Sequence, residues 1–477
     1  MSPPRSPLPT SHSSLRRLAE LLLLLVIAVL AMRAWFVEGL VLPWRVSSGS
    51  MAESLLGLHR ELTCAECEYP FVCGADFRPV NPLAVCPNCG CPNNDLSVRP
   101  DLAGDGLLVH KSLFRLRPLR RWEVVAFRHP QLSGQLQIKR AVGLPGESVQ
   151  IRHGDVYIDG KIHRKTLSQQ RTMAILVHDV NYQPLVNPAP PPRWQGAGTD
   201  SQWGSSGSDF AHPDTDDKTA IDWLEYRHWR RIPSGGDDDL KQIEVLEGPI
   251  TDVCGYNQSR ARRQEDIRPV TDLMLSLKLV DTLAEGKLIL RISDGSEDFQ
   301  LWIEPGRRRF EVLHNGRPIP LDVGKLPRWK NELAIDISLF DQQFLLAFDR
   351  GVAVTYRYRP SNPDQRPTSR PLAIGSQGLQ VRLRDLRVYR DVYYTRPMGA
   401  DGRWALDEPQ PLKAGEYFVL GDNSPISQDS RTWPEGAAVP TRLLVGKPLL
   451  VHFPVRRVEL GGWIFQVPDP RKIRYIR

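Results

Sequence analysis

A period-two alternation of apolar residues recurs through the second half of the chain and constrains its fold more than any other feature. Leu273, Leu275, Leu277 and Leu279 alternate, as do Leu288, Leu290 and Ile292, then Phe299, Leu301 and Ile303. Leu333, Ile335, Ile337 and Leu339 continue the series, and Phe344, Leu346 and Phe348 face Val352, Val354 and Tyr356 across Asp349-Arg350-Gly351. Successive side chains of a strand point to opposite faces, so this spacing buries one face of each strand. Asp294-Gly295 and Asn315-Gly316 are hairpin signals. Regular short strands joined by turns predict a mainly β chain, with a β-sandwich of jelly-roll type over residues 248–395.

At 477 residues the chain is long enough for two or three cores, at roughly 100–200 residues per domain. Its 41 prolines predict long connections. Residues 185–217 are rich in Pro, Gly, Ser and Asp and read as a flexible linker. Residues 221–229 look ordered, so 181–247 is expected to be linker and irregular structure. The net charge of +7 is diffuse, without a Lys/Arg tract, and this speaks against a nucleic-acid partner.

Near the N-terminus, residues 21–32 form an apolar run of 12. A spanning helix needs about 20 mostly apolar residues, so the expected anchor runs over 18–42, through Arg33 and Glu38. Arg33 can reach headgroups along its aliphatic stem, and Trp35 suits the interface. Arg5, Arg16 and Arg17 precede the run, with Glu20 the acid beside them. Positive charge before the run places residues 1–17 in the cytoplasm and the chain after about residue 43 outside a bilayer crossed once. A cleavable signal peptide also has a run of this length, but Ala31-Met32-Arg33 is a poor small-x-small cleavage site.

Six of the seven cysteines lie between Cys64 and Cys91. Cys64-x2-Cys67 and Cys86-x2-Cys89 are separated by 18 residues, a zinc-ribbon spacing. Four thiolates wrap one tetrahedral zinc and leave no open position, so the expected ion is structural and serves no step of catalysis. An extracytoplasmic location and the additional Cys73 and Cys91 keep three disulfides as an alternative. Cys254 is expected as a buried free thiol.

Three further segments carry chemistry. Ser48-Gly49-Ser50-Met51 lies just after the apolar run. Ile138-Lys139-Arg140-Ala141-Val142 leads into the turn Gly143-Leu144-Pro145-Gly146, with Ser148 to Ile151 and a hairpin at Asp159-Gly160 beyond it. Gly421-Asp422-Asn423-Ser424-Pro425-Ile426-Ser427-Gln428-Asp429-Ser430-Arg431 is the third. A serine hydroxyl needs a base to become a nucleophile, and a neutral lysine amine can be that base. Fewer than about one ordinary lysine in a thousand is neutral at pH 7, so Lys139 needs an apolar seat, which Ile138, Ala141 and Val142 can provide.

Together the three segments resemble the type I signal peptidases, membrane-anchored Ser-Lys serine proteases that remove signal peptides from exported proteins. The resemblance implies a β catalytic core on one transmembrane helix, at the cytoplasmic (inner) membrane. It implies Ser50 as nucleophile, Lys139 as general base and Ser427 as the group orienting the lysine. The Ser50 backbone N–H and the Ser48 hydroxyl would form the oxyanion site. Asp429 and Arg431 would brace the loop that begins with Gly421, Asp422 and Asn423. On this reading the core comprises 43–62, 100–180 and 396–477, interrupted by the ribbon at 63–99 and by the large insertion. The sandwich resembles concanavalin-like and laminin-G-like domains and is expected as a spacer or a docking module for an unknown partner, with glycan binding as the alternative.

The sequence departs from the family pattern at two places. Ala52-Glu53-Ser54-Leu55 follows the first motif where the family has x-Pro-Thr-Leu, and a carboxylate near Lys139 would raise its pKa and weaken it as a base. Arg121-Trp122-Glu123 stands where the family has Arg-Gly-Asp, which keeps the charges. The implied function is endoproteolysis of exported pre-proteins beside the lipid bilayer. The alternative is a tethered binding scaffold on a former peptidase fold, with ribbon and sandwich as its working parts.

Overall fold

The computed structural model describes residues 12–34, 38–76, 82–132, 134–215, 218–233, 243–259, 266–283, 285–320, 324–362, 367–399, 404–453, 455–460 and 463–476. Strands dominate, as the alternation predicts. One eight-stranded sheet forms the frame of the core. Its order is Val41–Arg45, Gly106–His110, Leu444–Phe453, Val124–Arg128, Leu136–Gly143, Glu416–Leu420 and Ala438–Pro440, with Arg474–Tyr475 beside Leu444–Phe453. Residues far apart along the chain are thus neighbours: Lys447 pairs with His110 and Leu420 with Arg140. A four-stranded sheet (Lys161–Ile162, Asp155–Ile158, Ser148–Arg152, Gln410–Pro411) lies beyond the expected turn after Gly143. Asp159 and Gly160 turn its hairpin with φ of 50° and 74°, the left-handed pair of a two-residue type I′ connection.

Two further eight-stranded sheets enclose a second core. The first contains Leu273–Leu283, Leu333–Phe340, Gln343–Phe348, Gly351–Arg357 and Gln380–Arg390; the second contains Lys287–Ser293, Asp298–Glu304, Arg309–His314 and Leu372–Gln377. The alternating residues named above supply the facing layers: Leu275, Leu290, Phe299, Leu301, Ile335, Ile337 and Phe344 are fully buried. Each such side chain contributes about 1.5–3 kcal/mol by leaving water. The Asp349-Arg350-Gly351 turn pairs Phe344 with Tyr356 and Leu346 with Val354.

Two expectations are corrected here. Residues 185–217 are not an unstructured linker: Trp194–Gly196, Gly204–Ser206 and Asp209–His212 are strands, and with Ile175–Asp179 and Asp222–Tyr226 they extend the two sheets. Ile175–Asp179 and Asp209–His212 pair with Gln380–Arg390, and Asp222–Tyr226 with Leu372–Gln377. Trp194–Gly196 and Gly204–Ser206 pair in turn with Asp222–Tyr226 and Asp209–His212, so pairing and not local pattern makes these short strands. The two-sheet unit therefore takes residues from both sides of position 180. Nor can a spanning segment continue to Leu42, because Val41–Arg45 is already a strand hydrogen-bonded to Gly106–His110. Helix His12–Met32 carries Arg16, Arg17 and Glu20, and among the described residues no helix is long and apolar enough to cross a membrane. Arg5 and Trp35 lie outside the described residues.

Candidate active site

The strand Leu136–Gly143 presents Lys139 into the core, where its side chain is 3% exposed. Ile138, Ala141 and Val142 of the same strand are buried, as is Val125, the residue paired with Lys139 on the next strand, so the lysine lies in a dry interior. Burial drives the Lys139 amine down to about 8; Asp429 and Asp422 oppose that shift and Arg431 assists it. The Lys139 Nζ donates to Ser427 Oγ at 3.0 Å, and Ser427 is itself wholly buried.

The loop carrying Ser427 follows the strand Glu416–Leu420 and is held by buried charges. The Asp429 carboxylate accepts from Arg431 Nε at 2.9 Å and Nη2 at 2.8 Å, and from the Gly421 N–H at 3.0 Å. Burial alone would raise the Asp429 carboxyl, but the Arg431 guanidinium outweighs it and holds the group below the usual carboxylate range. Arg431 also donates to Ser424 Oγ at 2.8 Å and to its carbonyl at 3.1 Å. Asp422 accepts two bonds from Arg140, at 2.8 and 2.6 Å. Arg140 is the residue after Lys139, so this bidentate pair fixes the lysine strand against the Ser427 loop. Sequence reading passed over Arg140, although an arginine between buried apolar residues calls for a carboxylate partner.

Ser50 lies in a single 3-10 turn, Gly49–Met51, that packs against both the Lys139 strand and the turn Ser424–Ile426. The Asn423 N–H donates to the Ser50 carbonyl at 3.1 Å, and its side-chain amide donates to the Gly49 carbonyl at 2.9 Å. A Cβ on Gly421 would lie 2.2 Å from Ser427 Oγ and 2.4 Å from the Ser50 carbonyl oxygen. Only glycine fits where these two serine-bearing segments close on one another. The Ser48 hydroxyl is within 3.3 Å of Ser50 Oγ, beside the atom that would attack a carbonyl. Hence all nine sequence-predicted residues of this group, Ser48, Ser50, Lys139, Gly421, Asp422, Asn423, Ser427, Asp429 and Arg431, converge on one place.

A family model of the signal peptidases, peptidase S26, matches residues 90–201 and 377–453. These ranges contain Lys139 and Ser427 but not Ser50. Signal peptidase I V of Bacillus subtilis is 36% identical over 58 residues, which is 12% of this chain and 33% of that protein. A probable signal peptidase I of Synechocystis is 35% identical over 65 residues, again 12% of this chain and 33% of that protein. The chain thus spans about a third of the length of these curated relatives. Together the matches support kinship with the signal peptidase I family. Among solved structures, a galectin of Caenorhabditis elegans aligns at 12% identity with a TM-score of 0.19, over 24% of this chain and 81% of that one. So slight a likeness bears no weight.

Glu53 does not act as its position in the sequence implied. Its carboxyl accepts from Cys254 Sγ at 3.5 Å and is not among the charges that move Lys139. Burial raises the Glu53 carboxyl, with the Arg390 guanidinium opposing. Glu123 accepts from Arg117 and Lys447 at 2.6 and 2.9 Å, and Arg121 pairs with Glu147 at 2.6 Å. The charges of the departed motif are therefore all paired.

The cysteine cluster has the geometry of a metal site. Cys64 and Cys89 sulfurs are 3.5 Å apart, Cys67 and Cys86 sulfurs 3.7 Å, and all four lie within 4.8 Å of one another. Two knuckles hold them, closed by the bonds of Glu68 N–H to the Cys64 carbonyl and Gly90 N–H to the Cys86 carbonyl. All seven cysteines are free and buried, so the three-disulfide arrangement is not formed. Cys254 is the expected buried thiol, raised by burial.

Two neighbours of the site had no signal in the sequence. Asp76, at the end of the ribbon hairpin, accepts from the Gly49 N–H at 3.0 Å. Asn257, from the insertion, exchanges two hydrogen bonds with Asn423, at 2.7 and 2.8 Å. Both contacts join segments far apart along the chain, and nothing in their local sequence marks them.

Proposed function

We propose that this chain is a membrane-tethered serine endopeptidase of signal peptidase I type, which removes signal peptides from exported pre-proteins. The observation that carries the reading is a buried lysine, poised near pH 8 and held by Ser427, on the strand against which the Ser50 turn packs. In this mechanism the neutral Lys139 amine takes the proton of Ser50 Oγ as that oxygen attacks the scissile carbonyl. The same nitrogen then returns the proton to the leaving amine. Water, deprotonated by the lysine in turn, releases the acyl group. The Ser48 hydroxyl and the Ser50 N–H would stabilise the oxyanion, worth roughly 10²–10³-fold in rate per donor in comparable sites.

Tethering rests on residues 21–32, whose leucines and valines stand exposed on all sides of helix His12–Met32; lipid is the solvent that suits such a surface. The substrate would then meet Ser50 where an exported chain emerges from the bilayer. Cys64, Cys67, Cys86 and Cys89 would hold a structural zinc ion, which closes the ribbon and supplies no step of the reaction. The two-sheet unit would serve as a spacer or as a docking module for a partner or glycan.

Incubation of the purified full-length chain in detergent with a signal-peptide-bearing pre-protein tests the reading. Ser50→Ala and Lys139→Ala should abolish cleavage, and Ser427→Ala should lower kcat by 10²-fold or more. Cleavage that survives Ser50→Ala would end the proposal, and so would an inert parent chain, which would favour the scaffold alternative. Zinc is measured on the same preparation, with one equivalent expected and about none after replacing Cys86 and Cys89 by Ser.

A further inference from the structure

Residues 254–257 belong to the large insertion, yet they reach the turn that carries Ser50. Three contacts bring them there. The Asn257 amide donates to Asn423 Oδ1 at 2.7 Å and accepts from Asn423 Nδ2 at 2.8 Å. The same Nδ2 donates to the Gly49 carbonyl at 2.9 Å. The Tyr256 ring lies between Gly49 and Gly74: a Cβ on Gly49 would sit 2.0 Å from it, and one on Gly74 2.5 Å. Its hydroxyl donates to the Leu58 carbonyl at 2.8 Å. Cys254 donates to Glu53, three residues after Ser50, at 3.5 Å.

Behind this contact the segment is anchored to the two-sheet unit. Arg390, at the end of strand Gln380–Arg390, is buried and donates to the carbonyls of Asp252 and Val253 at 3.3 and 3.1 Å. Asp252 and Arg268 bind one another through backbone and carboxylate, at 2.9 Å in each case. A continuous set of hydrogen bonds therefore runs from the inserted sheets to the backbone on either side of Ser50.

An amide pair is well suited to this duty. With two complementary bonds it fixes the plane of Asn423, and only in that plane can Nδ2 also reach Gly49. Asn423 then holds both the Gly49 and the Ser50 carbonyls, which sets the direction of the Ser50 side chain. We propose that residues 254–257 are part of the apparatus that positions the nucleophile, with Asn257 as a positioning residue, so that the insertion is coupled to catalysis. The inference rests on the peptidase reading above.

Asn257→Ala in the full-length chain tests it. Misplacement of a reacting group by an ångström can cost about 10²-fold, so kcat should fall about 10–100-fold. KM should change less than twofold, and the midpoint of the pH profile should stay at that of Lys139 in the parent. The double variant with Asn423→Ala should be little slower than Asn423→Ala alone, because the two side chains act as a unit. A kcat within twofold of the parent, or additive losses, overturns the inference while the peptidase reading stands. Should the parent itself prove inert, amide hydrogen exchange of residues 48–52 decides: faster exchange in Asn257→Ala upholds the contact's positioning role, and unchanged exchange refutes it. If the alanine variant does not fold, Asn257→Ser is judged by the same readouts.

Discussion

Lys139 governs two separate pH dependences. Its amine sits near 8 in the folded chain against an ordinary 10.5, a difference of about 3 kcal/mol. Below pH 8 both folded and unfolded chains hold the proton, and the native state bears the full cost of a buried charge. Between about 8 and 10.5 the unfolded chain binds one proton more, so stability rises with pH through that window. Urea unfolding at pH 7.5 and pH 9.5 should therefore show Lys139→Met gaining less from the change than the parent, and the variant should be more stable by about 2–3 kcal/mol at the lower pH. Equal responses of both chains would mean that the amine is not buried in solution. In the peptidase reading, kcat/KM climbs about tenfold per unit below pH 8 and levels off above it. The burial of this lysine was legible, because Ile138, Ala141 and Val142 mark its strand as buried on both faces. The indifference of Lys139 to Glu53 was not, since sequence distance to Ser50 says nothing of where a side chain points.

At the scale of elements, the site is a strand and a loop joined by buried charge. Arg140 and Asp422 are 2% and 3% exposed and bind through two bonds, with the Trp122 carbonyl taking a third from Arg140 at 2.6 Å. Removing one member of such a pair strands the other in a dry interior, at about 3–5 kcal/mol. Asp422→Ala should lose that much stability in denaturant unfolding, whereas Asp422→Asn, which keeps the shape and one acceptor, should lose less than half as much. Equal losses would argue for packing and against charge. Strands with an apolar period of two were readable from their own residues, from Leu273 to Tyr356. The strands Trp194–Gly196 and Gly204–Ser206 were not, because three polar or glycine-rich residues carry no period. Their place in a sheet is decided by Asp222–Tyr226 and Asp209–His212, partners that local sequence does not reveal. Asn257 escaped notice for the same reason, 166 positions from the Asn423 it meets.

For the whole molecule the question is how an insertion of this size is accommodated by the core that carries Lys139. Loop closure grows only with the logarithm of length, so the cost stays small when the two ends emerge side by side. They do: Gly154 bridges Tyr394, and the Ile151 N–H donates to the Ala405 carbonyl at 2.6 Å. Lys165, just past the last strand of the small sheet, ties the junction. It is buried and donates to Asp341 at 2.6 Å and to Asp391 at 2.7 Å, so one cation joins the segment leading into the two-sheet unit to a turn of that unit and to the end of its returning strand. Burial is the largest influence on the Lys165 amine and would lower it, but the two carboxylates outweigh it and hold it well above the usual lysine range. Burial also raises Asp391, to about 6. Lys165→Met should therefore leave two dry carboxylates without their cation, at about 3–5 kcal/mol near neutral pH. The raised Asp391 carboxyl binds its proton more tightly folded than unfolded, and the stability this gives is present at low pH and lost as pH rises through about 6. The deficit of the variant against the parent should accordingly be larger at pH 8 than at pH 5 when both are unfolded in urea. A deficit independent of pH would mean that the lysine acts here through its aliphatic stem, and the junction would then be held by packing.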